Sequence, residues 1–146
     1  MKTKKLIIVG TSSFAEIAHD YFEEDSIYSV VAFSVEKKYI KQQTLKGKKI
    51  IPFESIEKSF SPDNYSIFVA IVYSELNRLR TRLVESAKDK GFNLANYISS
   101  SCHFSKSASH GEHVFIFENN TIQPYVRLGN NIIIWSGNHI GHHSII

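Results

Sequence analysis

The stretch Val114–Ile146, VFIFENNTIQPYVRLGNNIIIWSGNHIGHHSII, decides the fold of this 146-residue chain. Large aliphatic residues occupy every sixth position within it: Ile116, Ile122, Leu128, Ile134, Ile140 and Ile146. This period matches neither the repeat of about 3.6 residues in an amphipathic helix nor the two-residue alternation of a half-buried strand. It predicts a β-helix in which each six-residue unit forms one face and three faces close one coil. A conventional antiparallel meander is the competing interpretation.

Small and polar residues collect between these aliphatics, where the chain would turn corners: Asn119, Asn120, Gly129, Asn130, Asn131, Gly137, Asn138 and Gly141. Glycine and asparagine are the residues that most readily adopt turn conformations. At about 18 residues per coil, the stretch supplies fewer than two coils, whereas repeats of this kind need about three units and a cap. We therefore expect the chain to be C-terminally truncated.

The preceding part of the chain alternates β-rich runs with helical segments. Leu6–Val9 is a continuous apolar run ending at Gly10, which is typical of a buried parallel strand. Further strands are predicted at Tyr28–Phe33, Ile50–Pro52, Ser66–Val72 and Phe92–Ile98. One helix follows Ser13 and buries Ala15, Ala18 and Phe22; another is capped by Ser74 and buries Leu76, Leu79, Leu83, Val84 and Ala87, with Asn77, Arg80 and Arg82 on polar faces. This alternation predicts a small parallel sheet over residues 1–98, followed by the β-helix over residues 99–146.

Composition narrows the class of protein. The formal net charge of +3 is mild and the basic residues are scattered, so no nucleic-acid partner is expected. No apolar run is long enough to span a membrane, and Leu6–Val9 is too short for a signal peptide. The single Cys102 excludes an internal disulfide and agrees with a reducing compartment. We therefore expect a cytoplasmic protein.

Polar residues follow the first two predicted strands. The turn after Gly10 aims free backbone N–H groups at whatever lies above the sheet, which suits phosphate, although a plain strand-to-helix turn remains an alternative. Gly10 alone falls short of the Gly-x-Gly-x-x-Gly fingerprint, which argues against a nicotinamide-dependent oxidoreductase. After the second strand, doubly wound folds recognise polar groups of the ligand. The candidate residues in these two places are Gly10, Thr11, Ser12, Ser13, Glu36 and Lys37.

Three histidines crowd into one short segment, at His139, His142 and His143. No Asp, Glu or Cys lies among them, so we expect no metal site. Imidazole titrates near neutral pH and can accept a proton from an attacking amine or hydroxyl, which makes one of them a candidate general base. The alternative is that all three are polar surface residues on corners.

The chain resembles, over its whole length, bacterial nucleotide-sugar acetyltransferases of the hexapeptide-repeat superfamily, including sialic acid O-acetyltransferase-like and bacillosamine-pathway N-acetyltransferase enzymes. The segments that carry the resemblance are Lys5–Gly10, Val69–Ile71, Tyr73, Asn77, Arg80, Gly91–Phe92 and Trp135–Ser144. The resemblance implies an α/β fold, with a small Rossmann-like domain followed by the first coils of a left-handed parallel β-helix. In this family the sugar nucleotide lies on the N-terminal domain, acetyl-CoA lies along the β-helix, and a β-helix histidine is the base.

Carried onto this sequence, the family's histidine matches His142, with His139 and His143 as alternatives. The family's first turn often reads Gly-x-Gly-Gly-His-Gly, and Phe14 stands here in place of its histidine. The usual acidic residue after the second strand is displaced, with Ser34 or Glu36 as substitute. The resulting candidate substrate-binding residues are Gly10, Thr11, Ser12, Ser13, Ser34, Glu36, Lys37, Tyr73, Asn77 and Arg80.

The resemblance thus predicts an acetyltransferase for surface polysaccharide or glycan synthesis. It would move an acetyl group from acetyl-CoA to an amine or hydroxyl of a nucleotide-linked amino sugar, with His142 as base and no metal. Most of the acetyl-CoA site is expected beyond residue 146, so the truncated chain is expected to lack turnover, and the full-length enzyme is expected to be a homotrimer. The alternative function is a non-catalytic nucleotide-sugar-binding module, with the β-helix serving assembly.

Overall fold

The structure is a computed structural model that describes residues 1–146. The chain divides into two compact units, residues 1–94 and 95–146. The first unit contains strands β1 (Lys4–Val9), β2 (Tyr28–Val35), β3 (Thr44–Leu45), β4 (Lys48–Pro52), β5 (Tyr65–Val69) and β6 (Asn93–Leu94), and helices α1 (Ser13–Glu24), α2 (Ile56–Ser59) and α3 (Arg78–Asp89). The six strands form one sheet in the order β3-β4-β2-β1-β5-β6. All neighbours pair in parallel except the two-residue β3, which confirms the predicted α/β fold.

The centre of this sheet is buried on both faces. Leu6–Val9 of β1 are at most 1% exposed, because parallel strands covered by helices on both faces are apolar throughout. Helix α1 buries the predicted Ala15, Ala18 and Phe22 and also Phe14. The rings of Phe14 and Phe22 lie 6.2 and 5.3 Å from that of Phe68 in β5. Burial of each such ring stabilises the fold by roughly 2–3 kcal/mol.

Helix α3 begins later than predicted. Ser74–Asn77 forms a 3₁₀ turn in which Glu75, Leu76 and Asn77 have positive φ, so Ser74 does not cap the helix. Leu76 is 87% exposed instead of buried, because its left-handed backbone takes it off the helix face. The end of α3 is as predicted: Gly91, at φ +89°, closes it as Gly91 N–H donates to Lys88 O and Phe92 N–H donates to Ala87 O.

The predicted strand Phe92–Ile98 is two strands that belong to different units. Asn93–Leu94 pairs with β5 at the edge of the first sheet. Tyr97–Ile98 pairs instead with Phe115 and Ile116, and so opens the second unit. The division therefore falls after Leu94, earlier than the predicted junction near Ser99.

The second unit is a parallel β-helix. Its strands are β7 (Tyr97–Ile98), β8 (His103–Phe104), β9 (Val114–Ile116), β10 (Thr121–Ile122), β11 (Ile132–Ile134) and β12 (His139–Ile140). They form two parallel sheets, β7-β9-β11 and β8-β10-β12, and the bridges Ser109–Arg127 and Arg127–Ile145 form a third face. Each pairing joins residues eighteen positions apart, such as Thr121 and His139. The predicted coil of three six-residue faces is confirmed, and the meander is excluded.

The interior of the coil contains residues of the sixfold register together with Val114 and Val126, which lie two positions before Ile116 and Leu128. Its core consists of Val114, Ile116, Ile122, Val126, Leu128 and Ile134, with Ile140 partly buried against it. Ile146 is the exception, because its side chain is 53% exposed although its carbonyl accepts a hydrogen bond from Gly129 N–H. None of the helices in either unit is long and apolar enough to cross a lipid bilayer.

The corners of the coil show a second sixfold pattern, in the backbone. Positive φ occurs at His113, Asn119, Tyr125, Asn131, Gly137 and His143. Asn119, Asn131 and Gly137 are therefore corner residues as predicted, whereas Gly129 and Gly141 are not left-handed. Tyr125 and His143 take this conformation with bulky side chains, which costs roughly 1–2 kcal/mol per residue.

Candidate functional site

A cleft of about 340 Å³ lies in the first unit. Its walls come mainly from the turn after β1 and the segment after β2, with the last residue of β2 and one residue of β4: Thr11, Ser12, Val35, Tyr39, Ile40, Lys41, Gln42 and Ile50. Ligands of open α/β sheets bind at the carboxyl ends of the strands. The cleft occupies that position, and its walls combine three hydroxyls, one of them on an aromatic ring, with an amide and an ammonium group.

Gly10 shapes the turn that lines one side of this cleft. Its φ is +127°, and a Cβ atom there would lie 2.7 Å from the carbonyl oxygen of Ala70, so only glycine fits. Ser12 is the N-cap of α1. Its carbonyl accepts the N–H groups of Ala15 and Glu16, and its hydroxyl makes no capping hydrogen bond. Thr11 and Ser12 line the cleft, whereas Ser13 is exposed at the start of α1 and does not line it.

Ser34 does not line the cleft. It is fully buried, and its hydroxyl donates to the carbonyl of Ile51 across the β2–β4 pair at 3.0 Å. Its own carbonyl accepts the N–H of Gly10 at 2.8 Å. Ser34 therefore links β2 to β4 through its hydroxyl and to Gly10 through its carbonyl. Its hydroxyl is already hydrogen-bonded within the sheet.

Glu36 and Lys37 anchor the segment that forms the other side of the cleft. The Glu36 carboxylate accepts two hydrogen bonds from the Arg82 guanidinium of α3, at 3.1 and 3.0 Å. The backbone N–H of Lys37 donates to both carboxylate oxygens of Glu54, at 3.1 and 3.0 Å. Hydrogen bonding from Arg82 holds the pKa of Glu36 below its ordinary value. Neither side chain lines the cleft directly; both positions fix the segment that does.

Sequence reasoning missed the residues that Glu36 and Lys37 position. Tyr39 is 52% exposed at the cleft, with the Lys38 ammonium 4.8 Å from its ring centroid. Lys41 and Gln42 follow it in the wall. An aromatic residue inside an otherwise polar segment was the available signal, because such a residue has no core to fill.

The candidate substrate-binding residues after β5 differ in their exposure. Tyr73 is 77% exposed, and Asn77 is exposed in the left-handed turn. Arg80 is only 5% exposed, contrary to its predicted place on a polar face, and donates to the carbonyls of Ile71 and Val72 at 3.2 and 3.4 Å. Burial lowers the pKa of its guanidinium. Arg80 supports the chain beyond β5, because these carbonyls have no strand to pair with.

In the second unit, His142 and His143 form an exposed pair on one corner. Their Nδ1 atoms lie 3.1 Å apart. The His142 backbone N–H donates to Gln123 Oε1 at 2.9 Å, and the His143 ring packs on Tyr125 with centroids 4.8 Å apart. His139 is exposed in β12, paired with Thr121. No group of three His, Cys, Asp or Glu side chains is placed to hold a metal ion.

The family model of the PglD N-terminal domain matches residues 5–87, which is more than half of the chain. The fold also matches the acetyltransferase domain of PglB from Neisseria gonorrhoeae FA1090 in complex with acetyl coenzyme A. That match has a TM-score of 0.81 and 21% identity, and covers 97% of this chain and 66% of that one. No curated protein matches the sequence.

A second solved structure is a histidine-to-asparagine mutant of perosamine N-acetyltransferase from Caulobacter crescentus, in complex with CoA and GDP-perosamine. Its TM-score is 0.75 at 25% identity, and the match covers 93% of this chain and 62% of that one. The chain thus spans about two thirds of the length of both solved structures. The predicted resemblance to nucleotide-sugar acetyltransferases is confirmed, and the chain belongs to the family of the PglD N-terminal domain.

Proposed function

We propose that this chain is part of an N-acetyltransferase that moves an acetyl group from acetyl-CoA to the amine of a nucleotide-linked sugar. One observation carries the proposal: at 25% identity, 93% of the chain shares its fold with a perosamine N-acetyltransferase described with CoA and GDP-perosamine. We further propose that the enzyme acts in surface polysaccharide or glycan synthesis, assembles as a homotrimer and is cytoplasmic.

The first unit binds the nucleotide part of the acceptor sugar in the cleft beside Gly10. Thr11 and Ser12 offer hydroxyl and backbone N–H donors to the diphosphate, and Lys41 offers a positive charge. The exposed ring of Tyr39 offers a flat face to the base. Glu36 and Arg82 hold this wall in place and contact no ligand themselves.

The second unit supplies the general base. Acetyl-CoA brings an acetyl group activated as a thioester. A neutral amine forms a bond to its carbonyl carbon, the carbon–sulfur bond breaks, and the proton lost by the nitrogen must be accepted. His142 takes that proton and returns it to the departing thiolate, because a neutral imidazole can accept a proton and then donate it. His139 and His143 are the alternative bases, and no metal is required.

Release of the CoA thiol by the whole enzyme, measured with UDP- and GDP-linked amino sugars, tests this function. Replacement His142→Asn is expected to lower kcat by roughly 10²–10⁴-fold, the usual contribution of a general base. His103→Asn is the matched control, because it removes an exposed imidazole of the same β-helix that has no proposed catalytic role, and it is expected to keep full activity. Equal losses in both variants, or none in His142→Asn, would reject His142 as the base.

A nucleotide-sugar-binding module without chemistry is the second candidate, favoured by the family match lying entirely within the first unit, at residues 5–87. Isothermal titration separates the two candidates. An acetyltransferase binds both acetyl-CoA and the nucleotide sugar, whereas a module binds only the nucleotide sugar.

A further inference from the structure

The contact between His142 and His143 restricts where the protons of both rings lie. Two imidazole nitrogens 3.1 Å apart form a hydrogen bond only if one of them carries a proton and the other does not. The rings are perpendicular, with centroids 5.3 Å apart, so the contact is an edge-to-edge hydrogen bond and not a ring stack. One of the two neutral rings must therefore be protonated at Nδ1, and the other at Nε2.

The preceding coil holds both histidines in this arrangement. His143 N–H donates to Pro124 O at 3.2 Å, and His142 N–H donates to Gln123 Oε1 at 2.9 Å. The His143 ring lies against Tyr125, which has the same left-handed backbone one coil earlier, with φ of 64° against 63°. His143 thus repeats the backbone conformation of Tyr125 and packs its ring against that residue.

We propose that His143 is a positioning residue that accepts the Nδ1–H of His142 and so leaves the Nε2 lone pair of His142 as the proton acceptor. The catalytic role of His143 rests on the proposed function, whereas the hydrogen bond between the two rings is independent of it. When His142 Nε2 takes a proton, the bond to His143 persists and becomes charge-assisted, which stabilises the imidazolium form. The opposite arrangement would place a proton on His142 Nε2 and remove the base.

Nitrogen-15 NMR of histidine-labelled protein tests the arrangement without any substrate. At a pH where both rings are neutral, His142 is expected to show a protonated Nδ1 and a bare Nε2, and His143 the reverse. The two rings are assigned by comparison with His142→Asn and His143→Asn spectra. A protonated Nε2 on His142, or an Nε2-protonated pattern on both rings, overturns the proposal.

A matched pair of variants separates the acceptor from the backbone conformation. Glycine and asparagine both tolerate the left-handed corner at His143, but only asparagine has an oxygen that can accept a hydrogen bond. His143→Asn is expected to keep His142 protonated at Nδ1 and to retain activity. His143→Gly is expected to lose that pattern and to lower kcat by about tenfold or more with little change in KM.

The outcomes distinguish this inference from the proposed function. Equal kcat in His143→Gly and His143→Asn, with the expected NMR pattern in the parent, overturns the positioning role alone. Full activity in His142→Asn overturns the proposed base, and with it any catalytic role of His143, whatever the NMR shows.

Discussion

Arg82 holds Glu36 through two hydrogen bonds of 3.1 and 3.0 Å, although the two residues are 46 positions apart in the chain. The contact joins α3 to the start of the segment that forms one wall of the cleft. Because that segment contains Tyr39 and Lys41, the geometry of the cleft depends on a pair that does not line it.

Replacing Arg82 with methionine is expected to weaken nucleotide-sugar binding while leaving the fold intact. The Arg82 side chain is 55% exposed, so its loss is expected to cost at most about 1 kcal/mol of stability. Release of the Glu36 end of the wall is expected to raise Kd several-fold in isothermal titration. Arg78→Met, at an exposed position of the same helix, is the control. An equal rise in Kd in that variant would contradict the role of Arg82 in holding the cleft wall.

The same pair predicts a pH dependence of stability. The lowered pKa of Glu36 means that the folded state favours its carboxylate, so the pair stabilises the protein above the ordinary carboxyl pKa of about 4.3. This contribution is lost as pH falls through the lowered folded-state value. The difference in unfolding free energy between the parent and Arg82→Met, measured with urea, is therefore expected to be present at pH 7 and to vanish in acid. A difference that grows on acidification would contradict it.

Replacement Gly10→Ala is expected to destabilise the first unit by more than about 2 kcal/mol, since it adds a Cβ clash to an unfavourable φ. The added atom would lie 2.7 Å from Ala70 O. Gly47→Ala is a matched control, because Gly47 also has positive φ, +74°, but nothing lies within 4 Å of the added atom. It is expected to cost only about 1 kcal/mol in urea unfolding. Similar costs for the two would show that φ alone governs both positions.

Asn120 is expected to be the most sensitive polar residue of the coil. It is 1% exposed; its amide donates to the carbonyls of Phe117 and Trp135, and its Oδ1 accepts the N–H of Asn138. Asn120→Ala removes these three hydrogen bonds from a buried site, at a cost of roughly 2–4 kcal/mol.

The fluorescence of Trp135, the only tryptophan, reports unfolding of the coil. Asn138→Ala provides the comparison: its side chain also donates to Trp135 O, at 2.6 Å, but it is exposed. It is expected to cost less than about 1 kcal/mol. A cost for Asn120→Ala as small as that of the control would mean that water replaces the lost bonds.

The coil was predictable because its signal is periodic and local. Ile116, Ile122, Leu128 and Ile134 are buried by stacking on equivalents one coil away, so their spacing alone reveals the faces. The left-handed corner positions were harder to predict, because Tyr125 and His143 adopt this backbone conformation although neither is glycine or asparagine. There the coil overrides the intrinsic preference of the residue.

The cleft was predictable only in part. Gly10 and its hydroxyl neighbours stand out because a strand-to-helix turn restricts which residues fit. The opposite wall depends on pairs between distant segments, and nothing in the spacing of Glu36 and Arg82 indicates that they meet. Arg80 was misplaced for a similar reason, since helical periodicity cannot show that carbonyls at a strand end need a buried donor.

The eighteen-position pairing of the coil restricts how its length can vary. Removing one residue between Ile116 and Ile140 would exchange inward and outward side chains along every later face, and would carry His142 off its corner. Removing eighteen residues, which is one complete coil, would instead leave the stacking of the remaining faces unchanged. Insertions and deletions within this unit are therefore tolerated either as complete coils of eighteen residues or as loops that bulge from a corner.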